Sequence, residues 1–98
     1  MYPPSAPVSV SIAAAPNSLT LFYPANPETD VTGYLVFRTT DDKLPPEQWT
    51  PLTSEPVNRT SYQDERVERG TRYFYYVVAI DARGNRSPPS ATVSEVAP

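Results

Sequence analysis

Eight successive residues, Tyr73 to Ile80, are aromatic, β-branched or small and apolar. The run is too short to cross a membrane as a helix and too rich in strand formers for an ordinary soluble one. It reads as a long strand with apolar material against both faces. A strand of that kind at the centre of a small all-β domain points to a scaffold or binding module before it points to an enzyme. At 98 residues the chain has room for one such domain and one core. The net charge of −3, with the charges scattered, leaves no basic footprint for nucleic acid or an anionic membrane surface. There is no cysteine, which excludes a disulfide framework and thiolate metal sites without identifying the compartment. No leader pattern or long apolar run is present, so an exported protein would carry its signal outside this sequence or have lost it.

Thirteen prolines divide the chain into elements. Pro3, Pro4 and Pro7 make a stiff, extended approach of linker type. Val8 to Ile12 alternates apolar and polar residues, the mark of a half-buried strand. Pro16-Asn17 is a turn, Leu19 to Tyr23 a second strand, and Pro24 to Thr32 a loop. Tyr34 to Thr39 is a third strand. Gln48-Trp49-Thr50 with Leu52 suggests a short fourth, broken by Pro51. Ser61-Tyr62-Gln63 is a fifth, Tyr73 to Ile80 the sixth, and Ala91 to Val96 the seventh. No proline interrupts the third or sixth strand, as expected of the two central ones. Short strands at this spacing imply two packed antiparallel sheets.

The run Gly33-Tyr34-x-Val36-x-Arg38, Trp49, Thr60-Ser61-Tyr62-x-Asp64, Gly70-x-x-Tyr73-x-Tyr75-x-Val77-x-Ala79-x-Asp81 and Gly84-Asn85-x-Ser87-x-x-Ser90 resembles a fibronectin type III domain. The likeness covers Pro7 to about Val96 and is greatest to the versions in bacterial secreted and cell-surface multidomain proteins. It implies an immunoglobulin-like β-sandwich of about seven strands. The expected domain is residues 7–96, with 1–6 as linker or expression-derived residues and 97–98 opening a following linker. The family's tryptophan on the second strand is here Tyr23, whose hydroxyl needs a partner or an exit to solvent.

Period-two counting assigns the faces. Tyr73, Tyr75, Val77 and Ala79 point inward, as do Tyr34 and Val36, with Leu19, Leu21, Tyr23, Val10 and Ile12 opposite. Tyr73 follows Gly70 into the long strand, the place of a structural tyrosine corner whose hydroxyl bonds backbone a few residues upstream. The outer face of the same sheet is harder to account for. Leu35, Phe37, Phe74, Tyr76 and Val78 are apolar where a solvated sheet alternates with polar residues. Either Trp49 and the aliphatic stems of Arg38 or Arg72 cover them, or a neighbour docks there. These five residues are the candidate interaction face.

No catalytic, cofactor-binding or metal site is expected. Histidine and cysteine are both absent, so the commonest general base and the best nucleophile are missing. Asp41-Asp42 and Asp64-Glu65 read as solvated turn residues. Asp81-x-x-Gly84-Asn85 lacks the oxygen spacing of a calcium loop, so Asp81 and Asn85 are expected to shape the turn instead. The same tail gives a cadherin-like adhesion repeat as a weaker alternative. Arg83-Gly84-Asn85 lacks the aspartate of an Arg-Gly-Asp ligand. Asn58-Arg59-Thr60 and Asn85-Arg86-Ser87 are glycosylation acceptors only on a eukaryotic secretory route. The expected role is a non-catalytic spacer or domain-docking module of a larger extracellular or cell-surface protein, monomeric or weakly self-associating. Its partners would be adjacent domains, possible ligands another protein or a glycan on the aromatic outer face, with neither nucleic acid nor membrane insertion involved.

Overall fold

The computed structural model describes residues 4–26, 30–53 and 55–98. Seven strands are present among them: β1 (Ser11–Ala15), β2 (Ser18–Phe22), β3 (Val31–Thr39), β4 (Thr50–Pro51), β5 (Ser61–Asp64), β6 (Arg72–Asp81) and β7 (Val93–Val96). They form two antiparallel sheets, ordered β1-β2-β5 and β4-β3-β6-β7. The expected division holds, with the strands at Leu19 and Ser61 facing those at Tyr34 and Tyr73. The one helical element described is a 3-10 turn at Pro46–Gln48. No helix among the described residues is long and apolar enough to cross a membrane.

Between the sheets lie Leu19, Leu21 and Tyr23 on one side and Tyr34, Val36, Tyr73, Tyr75, Val77 and Ala79 on the other, all buried. These are the residues that period-two counting turns inward. Their burial is the main favourable term in a fold of this size.

The first strand begins three residues later than the sequence suggests. Ser9 takes φ 54, a left-handed conformation that interrupts the extended run, and Val8 is exposed. At the other end, the two-residue turn Pro16-Asn17 pairs Ala15 with Ser18 and carries the strand to Ala15. Asn17 supplies the φ of 66 that this turn requires, a conformation asparagine tolerates.

The last strand is also shorter than expected, because β7 pairs with only the first half of β6, Arg72 to Tyr75. Pro88-Pro89 cannot extend the ladder. Two serines substitute for it. Ser90 Oγ accepts from Val77 N–H at 2.9 Å and Ser87 Oγ from Ala79 N–H at 2.8 Å, while their own N–H groups donate to Val77 and Ala79 carbonyls. The motif Ser87-x-x-Ser90 thus satisfies a buried strand that has lost its neighbour.

Gly33 sits at the bulge in the β3–β6 register. A Cβ there would lie 2.7 Å from Pro56 Cβ and 3.1 Å from the Val57 carbonyl oxygen. Its absence lets the 56–57 segment approach closely enough for Tyr34 and Val57 to exchange backbone hydrogen bonds of 2.8 and 2.9 Å.

The domain extends past the expected boundary at Val96. Ala97 is buried, donates to the Thr71 carbonyl and accepts from Gly70 N–H. Pro4, expected in a linker, is buried as well. Ser5 accepts a hydrogen bond from Asn26 Nδ2, and Asn26 N–H donates to the Tyr34 hydroxyl. Tyr34 is paired with Ala79, whereas Ala97 is held at Thr71. The two chain ends therefore leave the sandwich at opposite ends of β6, separated by about 25 Å at the rise of a strand.

Candidate functional site

The outer face of the four-stranded sheet is not a free surface. The chain after β3 folds back over it through Leu44, the 3-10 turn and Trp49. Trp49 is 6% exposed, and its indole Nε1–H donates to the Leu44 carbonyl at 3.0 Å. Its ring lies 5.0 Å from that of Tyr76, tilted by 53°. Tyr76 stacks on Phe37 at 4.8 Å, and its hydroxyl donates to the Pro46 carbonyl at 2.8 Å. Leu35, Tyr76 and Val78 are buried in this second cluster, with Phe37, Phe74 and Leu44 packed half-buried at its rim. The reading of Leu35, Phe37, Phe74, Tyr76 and Val78 as an exposed interaction face is corrected by this geometry. Prolines 45 and 46 end the loop in an extended-to-3-10 conformation that drops Trp49 onto the patch. Arg38 contributes no stem to this cover, because it shares the inward face of β3 with Tyr34 and Val36.

A constellation that the sequence reading missed lies on that inward face. Arg38 Nη1 donates to Asp64 Oδ2 at 2.8 Å and to the Arg66 carbonyl at 3.1 Å. The Tyr75 hydroxyl donates to the same Asp64 oxygen at 2.7 Å, and Arg66 N–H donates to Oδ1 at 3.1 Å. The guanidinium lies 5.1 Å from the centre of the Tyr73 ring. Asp64 is 3% exposed, so it is a buried acceptor joining the two sheets and not the solvated turn residue expected. Burial first, then the hydrogen bond to Asp64, pushes the Tyr75 phenol far above its ordinary range. The signal was an arginine at an inward-facing register position, which demands a carboxylate partner.

Three tyrosine hydroxyls contrast. Tyr73 accepts from Glu68 N–H at 2.7 Å, and Tyr76 is bonded as above. Tyr23 is 2% exposed, packs on Tyr34 at 4.9 Å, and its hydroxyl has no partner among the described residues. Burial, reinforced by the neighbouring Tyr34, raises its phenol to about 12. Tyr73→Phe is expected to cost about 1–3 kcal/mol by stranding the Glu68 amide, and Tyr76→Phe about 1 kcal/mol. Tyr23→Phe, by contrast, should be at least as stable as the parent, gaining up to about 1 kcal/mol. Urea titration of the three variants distinguishes the cases, and a loss in Tyr23→Phe would show that its hydroxyl is satisfied.

No family model matches the sequence, and no curated protein matches it. Solved structures do. An Fn3-like protein from Clostridium thermocellum is 27% identical, with a TM-score of 0.82 over 99% of this chain and 96% of that one. The fold is that of a fibronectin type III domain. The fibronectin type-III domain of human fibronectin type III domain containing protein 3 is 21% identical with a TM-score of 0.75, covering 99% of this chain and 88% of that one. A β-1,2-glucanase from Parabacteroides distasonis is 24% identical with a TM-score of 0.77, and the match covers 98% of this chain but 14% of the enzyme. The match thus spans nearly the whole of one solved chain and a small part of another.

Within this fibronectin type III fold the remaining sequence candidates are structural. Asp81 accepts from Arg83 N–H at 2.9 Å, Asn85 N–H at 2.8 Å and Asn85 Nδ2 at 3.1 Å, while Gly84 takes φ 84 at the turn. Burial opposes ionisation of Asp81, but the bonds from Asn85 and Arg83 prevail and hold its carboxyl below the usual range. A depressed folded value means that this stabilisation is complete above the unfolded value of about 3.9 and is lost as pH falls through the folded one. The stability difference between the parent and Asp81→Asn should therefore shrink as pH is lowered from about 5. With its amide engaged and Ser87 buried, Asn85 is a poor glycan acceptor, whereas Asn58 is exposed. No cluster of three metal-ligating side chains occurs among the described residues. An open depression of about 840 Å³ lies beside Thr32, Pro56, Asn58, Arg59, Ser61 and Gln63.

Proposed function

We propose that this domain is a non-catalytic spacer in a larger secreted or cell-surface bacterial protein, holding the segments on either side of it at a fixed distance. The observation that carries the reading is the departure of the two chain ends from opposite ends of a body 43 Å long and 24 by 22 Å across. The use of Asp64, Asp81, Ser87 and Ser90 in internal hydrogen bonds supports it, because no polar group of that set is left to act on a ligand. The occurrence of the same fold within a far longer glucanase chain fits a modular role, with adjacent domains as partners. The roofing of the aromatic sheet face by Trp49 counts against a glycan or protein site there.

Small-angle scattering of the parent protein with and without residues 7–97 tests the proposal. The expected result is a shortening of the maximum dimension by between about 25 Å, the separation of the chain ends, and the 43 Å long axis, with the activities of the other domains intact. Loss of a binding or catalytic activity at unchanged length would overturn it.

A further inference from the structure

The charge distribution is uneven in a way that singles out one sheet edge. No charged residue precedes Glu28, so β1 and β2 are uncharged throughout. Native proteins protect edge strands with charge, proline or a bulge, because the unpaired backbone groups of an edge are a template for another strand. Three of the four edges here are protected. β4 contains Pro51, β5 ends in Asp64 before Glu65 and Arg66, and β7 carries Glu95 between Pro88-Pro89 and Pro98. β1, Ser-Ile-Ala-Ala-Ala, has no charge, proline or bulge within it, Pro16 lying just beyond its end, and its register with β2 is unbroken over all five residues. β7 of the facing sheet runs close beside β1 at the corner of the sandwich, but the outer side of β1 has no backbone partner among the described residues, and every residue but Ile12 is exposed.

The hydrogen-bonded turn at Pro16-Asn17 makes Ala15 and Ser18 a bonded pair, and alternation along the strand then points the N–H and C=O of Ile12 and Ala14 away from β2. The adjoining outer face, from Ser11, Ala13 and Ala15 across Thr20 and Phe22 to Gln63, is also uncharged. Phe22 is 46% exposed there. We propose that the free edge of β1 pairs antiparallel with β1 of a second copy of this chain, joining two three-stranded sheets into one of six strands.

The occupant follows from complementarity. An uncharged edge accepts an uncharged strand most readily, and among the described strands β1 is the one that is uncharged, free of proline and at an edge. Everywhere else a net charge of −3 sets two copies against each other. Antiparallel pairing about Ala13 places Ser11 opposite Ala15 and Ile12 opposite Ala14 of the second copy, so on the outer face only small side chains meet. The arrangement is two-fold and closed, since each copy uses its one unprotected edge and no third chain is recruited. A five-residue seam buries little surface, so the dimer is weak and concentration-dependent.

Sedimentation equilibrium from micromolar to millimolar concentration is the test. The mass is expected to climb from 10.9 kDa towards twice that value. Ala14→Pro removes an outward-facing donor without breaking a bond to β2, and Ala13→Lys sets like charges face to face. Each should raise the dissociation constant at least about tenfold, with unchanged circular dichroism. Amide exchange on the unaltered chain decides the matter independently of whether the variants fold. Slowing at Ile12 and Ala14 with rising concentration supports the seam. Its absence overturns the proposal, as does a constant monomer mass or a dimer that both folded variants leave intact.

Discussion

Asp64→Ala is expected to destabilise the domain by about 3–5 kcal/mol. One carboxylate oxygen serves both Arg38, at 2.8 Å, and Tyr75, at 2.7 Å, and its loss leaves a guanidinium only 19% exposed and a fully buried phenol without their acceptor. Those groups belong to β3 and β6, while Asp64 belongs to β5, so the bonds hold one sheet to the other. Domains of this size are stable by about 5–15 kcal/mol, so the variant should be partly unfolded at moderate urea concentrations. Asp64→Asn, which keeps an acceptor for one of the two donors, should cost less. Arg38→Met with Asp64→Leu should recover much of the loss, because the penalty arises from an uncompensated buried charge and not from the absence of attraction. Urea denaturation followed by circular dichroism measures all three. A cost below about 1 kcal/mol for Asp64→Ala would mean that water reaches the arginine and that the clamp is dispensable.

Trp49→Ala should be of comparable size, about 3–5 kcal/mol. The indole covers Tyr76 and the buried Leu35 and Val78, and its N–H ties down the Leu44 carbonyl. Its removal opens a cavity and frees the 41–52 segment together. Trp49 is the single tryptophan, so its fluorescence disappears with it and the unfolding curve must be taken by circular dichroism. Phe37→Lys with Phe74→Lys should likewise unfold the domain, since both rings pack against the same cluster. A folded, monomeric double variant would restore the idea of a solvated outer face.

The sheets and the sandwich core were legible because strand periodicity acts locally: each of Leu19, Leu21, Val36, Tyr75, Val77 and Ala79 reads its face from its immediate neighbours. The cover over Leu35 and Tyr76 was not legible in that way. It depends on where a loop with two successive prolines lands, and that is set by packing across the chain. The Arg38–Asp64–Tyr75 contact fell between the two cases. The inward phase of Arg38 was readable, but its partner lies 26 positions away on another sheet. The strand limits at Ser11 and Val93 depended on backbone details, a left-handed serine and a pair of prolines, that alternate patterning alone does not resolve.

The departure of the two chain ends from opposite ends of β6 has a mechanical consequence. Tension applied through the chain runs nearly parallel to the strands. The hydrogen bonds of β7 to β6 and of β1 to β2 lie across that direction. Load is then shared by all the rungs of each ladder at once and does not open them one after another as in a zipper. Behind β7, the serine hydroxyls at Ser87 and Ser90 form further rungs against the upper half of β6. A stretched chain would therefore meet the resistance of two sheared strands before the sandwich core is exposed.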